Sequence, residues 1–206
     1  MKRGETHSVP HSRRAFLKSA FAGTLALCAA PALWQPSSAV AAESRGGNML
    51  ILYFSRSGNT RSLAKHIHRR VGGDIIELET VAPYPPDYDA VVEQARQEQR
   101  RNARPEIRTS IPHPETYDTV FIGYPNWWGT MPMPLFTLLE TQPLGRKTVI
   151  PFCTHEGSGF GHSRQDLQRL CPEARMLEGL AVRGSQVEDA RADVDAWLRK
   201  LDLLSA

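Results

Sequence analysis

The sequence predicts an α/β domain built on a doubly wound, five-stranded parallel sheet in the order 2-1-3-4-5, with helices on both faces. Three observations lead there. The composition, 206 residues with 41% apolar and 23% charged, suits one globular core. From residue 49 onward, apolar runs bounded by turns alternate with segments of helical period, the pattern of a parallel sheet whose crossovers are helices. The first run, MLILYF at 49–54, is apolar at nearly every position, as a central strand buried on both faces must be. Right-handed crossovers between five strands then leave few orders, of which 2-1-3-4-5 is the economical one.

Each element follows from a local signal. Residues 60–71 place Leu63, Ala64, Ile67 and Val71 on one helical stripe. Residues 74–79 form a shorter second strand with polar ends, suited to a sheet edge. Past the turn Ala82-Pro83-Tyr84-Pro85-Pro86, Asp87 caps a helix whose apolar positions Val91, Val92 and Ala95 give way to a charged run at 96–101, expected to be a solvated face. The polar, proline-interrupted stretch 102–117 reads as a surface connection. Strands three and four are expected at 118–124 and 147–153, with a short helix at 134–140 between them. A helix opened by Ser163 runs to Leu170, and a fifth strand spans 176–182. Ser185 with Glu188 makes a capping box for the last helix, whose stripe is Val187, Ala190, Val194, Leu198 and Leu201.

The front of the chain reads as an address. Residues 1–42 combine a polar, basic start, an apolar stretch and the small-residue site Ala39-Val40-Ala41, the layout of a cleavable secretory signal. Within them Ser12-Arg13-Arg14-Ala15-Phe16-Leu17-Lys18 resembles the twin-arginine export motif. That resemblance implies a periplasmic or otherwise exported protein, delivered folded by the twin-arginine machinery, and favours a non-covalent cofactor inserted before export. Residues 43–48 are then a linker and 49–206 the domain. The longest apolar run, 20–34, is interrupted by Thr24 and Pro31 and falls short of the roughly 20 residues of a spanning helix. No integral membrane span is expected. Lys2, Arg3, Arg13, Arg14 and Lys18 against Glu5 give 1–42 a net +4 of the total +3, which leaves −1 for the rest. A nearly neutral body lacks the basic face of a nucleic-acid binder.

In doubly wound sheets ligands sit beyond the carboxyl ends of the strands, so the loops after strands one, three and four are expected to converge. The first, Ser55-Arg56-Ser57-Gly58-Asn59-Thr60, opens a helix whose free N–H groups and dipole favour an anion. Arg56 and Arg61 are cations at a positive helix end, which costs energy unless a bound anion offsets it. The loop is too short for a Walker motif and lacks its lysine, so a monophosphate without metal is the expected anion. As an ordinary strand-to-helix turn it would instead use Thr60 or Asn59 as cap. The second loop, Pro125-Asn126-Trp127-Trp128-Gly129-Thr130, sets two tryptophans at a strand end, where one offers a stacking face for a planar heteroaromatic ring and the other is as readily a core anchor. The third, Thr154-His155-Glu156-Gly157-Ser158-Gly159, interleaves glycines with polar groups, so its backbone can approach a ring edge; His155 and Glu156 are candidates for tuning a redox ring.

The run Y-F-S-R-S-G-N-T resembles the FMN phosphate loop of flavodoxins, and the other two loops fall where flavodoxins hold the isoalloxazine. The resemblance covers residues 49–203 and is closest to the flavodoxin-like branch with I-G-Y-P-N-W-W-G-T and P-F-C-T-H-E-G-S-G. It implies FMN as cofactor, with Ser55, Ser57, Gly58, Asn59 and Thr60, beside Arg56, on the phosphate. It implies that 125–130 and 154–159 surround the ring. This body is near neutral, where the well-known electron carriers are strongly acidic, and Trp127-Trp128 and His155-Glu156 replace their acidic aromatic loops.

Cys153 and Cys171 invite a disulfide in an oxidising compartment. A helix between them runs back along the sheet at about 1.5 Å per residue, however, which puts them at opposite ends as buried free thiols. His66 and His68 are two apart on a helix and make no metal pair, so no metal is expected. The leading expectation is an exported FMN protein passing electrons between a donor and an acceptor, protein or small molecule. An FMN-dependent NAD(P)H:quinone-type oxidoreductase, with a substrate pocket by Trp127, Trp128 and His155, is the enzymatic alternative. A non-redox module for another phosphate-bearing planar ligand is the third.

Overall fold

The computed structural model describes residues 48–204; the expected export signal at 1–42 and residues 43–47 of the expected linker lie outside the described residues. Strand β1 (Met49–Tyr53) is buried at every position. It lies parallel between β2 (Asp74–Glu77) and β3 (Thr119–Pro125), with Leu52 opposite Ile76 and Ile122. β4 (Thr148–His155) follows β3 in parallel, and the sheet order is 2-1-3-4-5 as the alternation predicts. Side chains alternate between two cores. Leu50, Leu52, Val120 and Ile122 face α3 (Met133–Thr141) and α4 (Ser163–Leu170). Met49, Ile51, Phe121 and Ile150 face α1 (Asn59–Val71) and α5 (Arg191–Lys200). α2 (Tyr88–Arg100) packs beside α3, and its Asp87 cap accepts the Ala90 N–H at 2.8 Å, as expected.

Gly123 is required by packing: a Cβ there would meet the Phe152 ring at 2.0 Å. Just past β2, Glu79–Val81 runs antiparallel to 106–108 through Val81 N–H to Glu106 O (2.9 Å) and Arg108 N–H to Glu79 O (2.8 Å). The expected surface connection 102–117 thus pairs with the chain just beyond β2 and buries Ile111 and Tyr117.

Three expectations are corrected. The fifth strand is two short strands, β5 (Arg175–Met176) and β6 (Leu180–Arg183), both paired with β4. The break lies opposite Pro151, which has no N–H to give a neighbour; Met176 pairs with Val149 and Leu180 with Phe152, so one extra residue is accommodated between them. The Ser185–Glu188 capping box does not form: a 3-10 turn takes Gly184–Gln186, and α5 starts after Ala190 without a side-chain cap. The charged run 96–101 is not wholly a solvated face, since Glu98 is buried and accepts hydrogen bonds from Tyr84 Oη (2.6 Å) and Gln94 Nε2 (2.8 Å). Trp197 completes the α5 stripe, edge-on to Phe121.

Candidate functional site

The three loops meet at the carboxyl end of the sheet, where they and α2 enclose a cleft of about 660 Å³. Of the loop residues singled out from the sequence, Arg56, Ser57, Asn59, Pro125, Asn126, Trp127, Trp128, Thr154, His155, Glu156, Gly157 and Ser158 line it. The others support the wall from behind. Ser55 Oγ accepts the Arg61 N–H at 3.2 Å. Thr60 is buried and its hydroxyl meets that of Thr154 at 2.8 Å, tying the first loop to the third. Thr130 donates to Asp166 at 2.6 Å, the Gly129 carbonyl accepts the His162 N–H at 2.8 Å, and the Gly159 carbonyl accepts Asn126 Nδ2 at 2.7 Å.

The first loop ends on an uncapped helix start. The N-cap of α1 is Gly58 at φ +96°, with no side-chain cap, so neither Thr60 nor Asn59 serves as one. No acidic side chain lies in the first helical turn. Among the described residues, the backbone N–H groups of Ser57, Gly58, Asn59 and Thr60 have no acceptor in the protein. Unanswered N–H groups at a helix start attract an anion. The two arginines do not need that anion, contrary to expectation. Arg61 is held by Glu77 at 2.5 Å, and Arg56 donates to Pro86 O at 2.5 Å with its guanidinium over Tyr88.

The second loop separates its tryptophans. Trp127 and Thr130 exchange backbone hydrogen bonds of 2.8 and 3.1 Å across a tight turn, whose central residues Trp128 and Gly129 have φ of +53° and +86°. A bulky residue in that region is strained and must be held there. Trp128 Nε1 donates to Val92 O at 3.0 Å, Gln99 Nε2 donates to Trp128 O at 3.2 Å, and the Arg96 guanidinium covers the indole. Trp128 stays 47% exposed at the cleft rim. Trp127 is the core anchor, edge-on to Tyr84 and Phe54.

The third loop is polar. Asn126 N–H reaches Thr154 O at 2.8 Å, and Gly157 N–H donates to His155 Nδ1 at 2.9 Å. Sequence reasoning missed two parts of the wall. Tyr88, Val91, Val92 and Ala95 form an apolar side from α2, readable only once that helix is known to lie over the loops. Gly184 lies under Asn59 and Glu156, where a Cβ would meet Asn59 Nδ2 at 2.4 Å and Glu156 Oε1 at 2.5 Å. The cysteines stand as expected: both are free and buried, and burial pushes the thiol of Cys153 up to about 12 and that of Cys171 to about 11. No cluster of metal-ligating side chains occurs among the described residues.

An apolar wall opposite a polar one, with free amides at one end, is the layout of a site for a planar, phosphorylated ligand in a doubly wound fold. The chain belongs to the flavodoxin family, whose sequence profile matches residues 48–201. Among solved structures it is similar to a protein described as a flavoprotein from Bacteroides eggerthii DSM 20697, 32% identical over 74% of this chain and 96% of that one, with a TM-score of 0.66. A second protein so described, from Bacteroides uniformis ATCC 8492, is 28% identical over 75% and 99%, also at 0.66. A flavoprotein from Lactobacillus acidophilus NCFM, solved in complex with FMN, is 26% identical over 69% and 97%, at 0.58. No curated protein sequence matches the chain.

Proposed function

We propose that this protein binds FMN and carries electrons between redox partners after export by the twin-arginine route. The observation that carries the reading is the set of N–H groups at the start of α1 that meet no acceptor among the described residues, two of whose residues, Ser57 and Asn59, line the same cleft as the α2 and tryptophan wall. A phosphate monoester on those amides would leave a flat ring between Val91, Val92 and Trp128 on one side and the 154–158 loop on the other. The similarity to a flavoprotein solved with FMN supports the same ligand. Bound flavin supplies the electron transfer; the chain supplies grip, stacking and hydrogen bonds at the ring edge. Arg13 and Arg14 are the basis for export.

The test is direct. Protein purified without added flavin is expected to be yellow and to release FMN, not FAD, on denaturation. A colourless protein unable to take up FMN overturns the reading. Ser57→Asp should weaken FMN far more than riboflavin, because the new carboxylate repels only the phosphate; equal losses count against the cradle. Reduction at a useful rate by NADH or NADPH, with turnover on a quinone, would mark a reductase instead of a carrier. Undiminished periplasmic yield of the double variant Arg13→Lys, Arg14→Lys would remove the export assignment.

A further inference from the structure

His155 closes β4 and lines the cleft. Its Nδ1 accepts the Gly157 N–H at 2.9 Å, and an atom that accepts from an amide carries no proton of its own. The neutral imidazole therefore holds its hydrogen on Nε2. Gly157 aims its amide this way from φ +146°, a conformation that side-chain-bearing residues rarely adopt, so the lock is built into the backbone. Among the described residues Nε2 has no partner in the protein. The neighbouring carboxylate does not take it: Glu156 Oε1 lies over Gly184 beside Asn59, and Arg183 Nη1 reaches the Glu156 carbonyl at 3.5 Å.

We propose that His155 is a fixed, neutral Nε2–H donor that bonds an electron-rich edge, a carbonyl oxygen or imine nitrogen, of the planar ring in the cleft, and so favours the ring's reduced form. The proposal rests on the FMN reading above. Reduction adds electron density to the acceptor edge, and a hydrogen bond to a charged acceptor is worth more than one to a neutral acceptor. His155 thus binds the reduced ring more tightly than the oxidised one, and the difference appears as a higher potential.

Two measurements test it. Nitrogen-15 NMR of the full chain, stripped of ligand at pH 8 where an ordinary imidazole is neutral, should show His155 as the Nε2–H tautomer with an unprotonated Nδ1. A predominant Nδ1–H tautomer overturns the proposal. At saturating FMN, His155→Leu should lower the two-electron midpoint by about 30 mV, a tenfold loss of preference for the reduced ring, and His155→Gln, which keeps an N–H donor, should recover most of it. No shift in the leucine variant, or equal shifts in both, overturns the proposal. Failure of the unmodified protein to take up FMN would sink the function proposed above, and the ring as acceptor with it, whereas the tautomer is read without any ligand.

Discussion

Glu77, at the end of β2, holds the Arg61 guanidinium of α1 by two hydrogen bonds, Nη2 to Oε1 at 2.5 Å and Nε to Oε2 at 2.9 Å. Tyr53 Oη donates to the same carboxylate at 3.0 Å, and burial first, then the Glu77 charge, pushes the phenol up to about 12. The cation in the first turn of α1 is therefore answered by the sheet, and the helix amides are left to the cleft.

Arg61→Ala should leave the ratio of FMN to riboflavin affinity within about twofold and cost no more than about 1 kcal/mol of stability, since the pair is half-exposed. Equilibrium binding of the two flavins and urea unfolding measure these. A loss confined to FMN would return Arg61 to the phosphate.

Gly184→Ala should weaken flavin binding by about tenfold or more. The added methyl overlaps Asn59 and Glu156 at once, and both line the cleft. Overpacking of this kind costs about 1–3 kcal/mol if the surroundings do not yield. Undisturbed affinity would mean that the two side chains are free to move aside.

The tryptophans should part company on truncation. Trp127→Ala removes an anchor packed on Phe54 and Tyr84 and should lower stability by about 3–5 kcal/mol. Trp128→Ala removes an exposed ring held by Val92 and Arg96; it should change stability by less than about 1 kcal/mol while altering the fluorescence of bound flavin. Thermal melts and flavin emission, read on both variants, decide it. Equal melting losses would refute the division of labour.

Cys153 and Cys171 should resist a thiol reagent at pH 8 until the fold opens. Both thiols are buried, and the same burial raises them to about 12 and 11, so little reactive thiolate exists. Peptide mass spectrometry after labelling with and without denaturant gives the answer. Rapid labelling of either in the native protein contradicts the packing.

His66 should make stability fall on mild acidification. It is buried against α1's own Arg69, whose guanidinium donates to its Nδ1. Desolvation first, then the positive charges of Arg69 and Arg191, pull its pKa below the ordinary 6.5, against a smaller opposing pull from Glu188. Between that ordinary value and the lower folded one the unfolded chain binds more protons, so stability drops as pH falls through that window and levels off beneath it. Urea midpoints from pH 7.5 to 5 should show this decline, and His66→Gln should flatten it. An identical slope in the variant would assign the decline elsewhere.

What local pattern specifies can be read from the order of residues alone. The apolar run of β1 has one way to be buried on two faces, and right-handed crossovers leave one economical order, so the strand order and the meeting of three loops were legible from residues 49–182. The Asp87 cap and the free, buried state of Cys153 and Cys171 were legible for the same reason, because they depend on a few neighbouring residues and on helix rise. Tertiary structure alone decided which partner each group takes. Whether Arg61 meets an anion or Glu77, whether Trp127 or Trp128 is the anchor, and whether Glu98 is solvated or buried under Tyr84 depend on contacts between residues far apart in the chain, which no local period encodes. Pro151 did carry a signal: a proline in a central strand foretells an interrupted neighbour, and the break between β5 and β6 lies beside it. The α2 wall and Gly184 carried none, since the direction in which a helix crosses a loop is set by packing against the finished core.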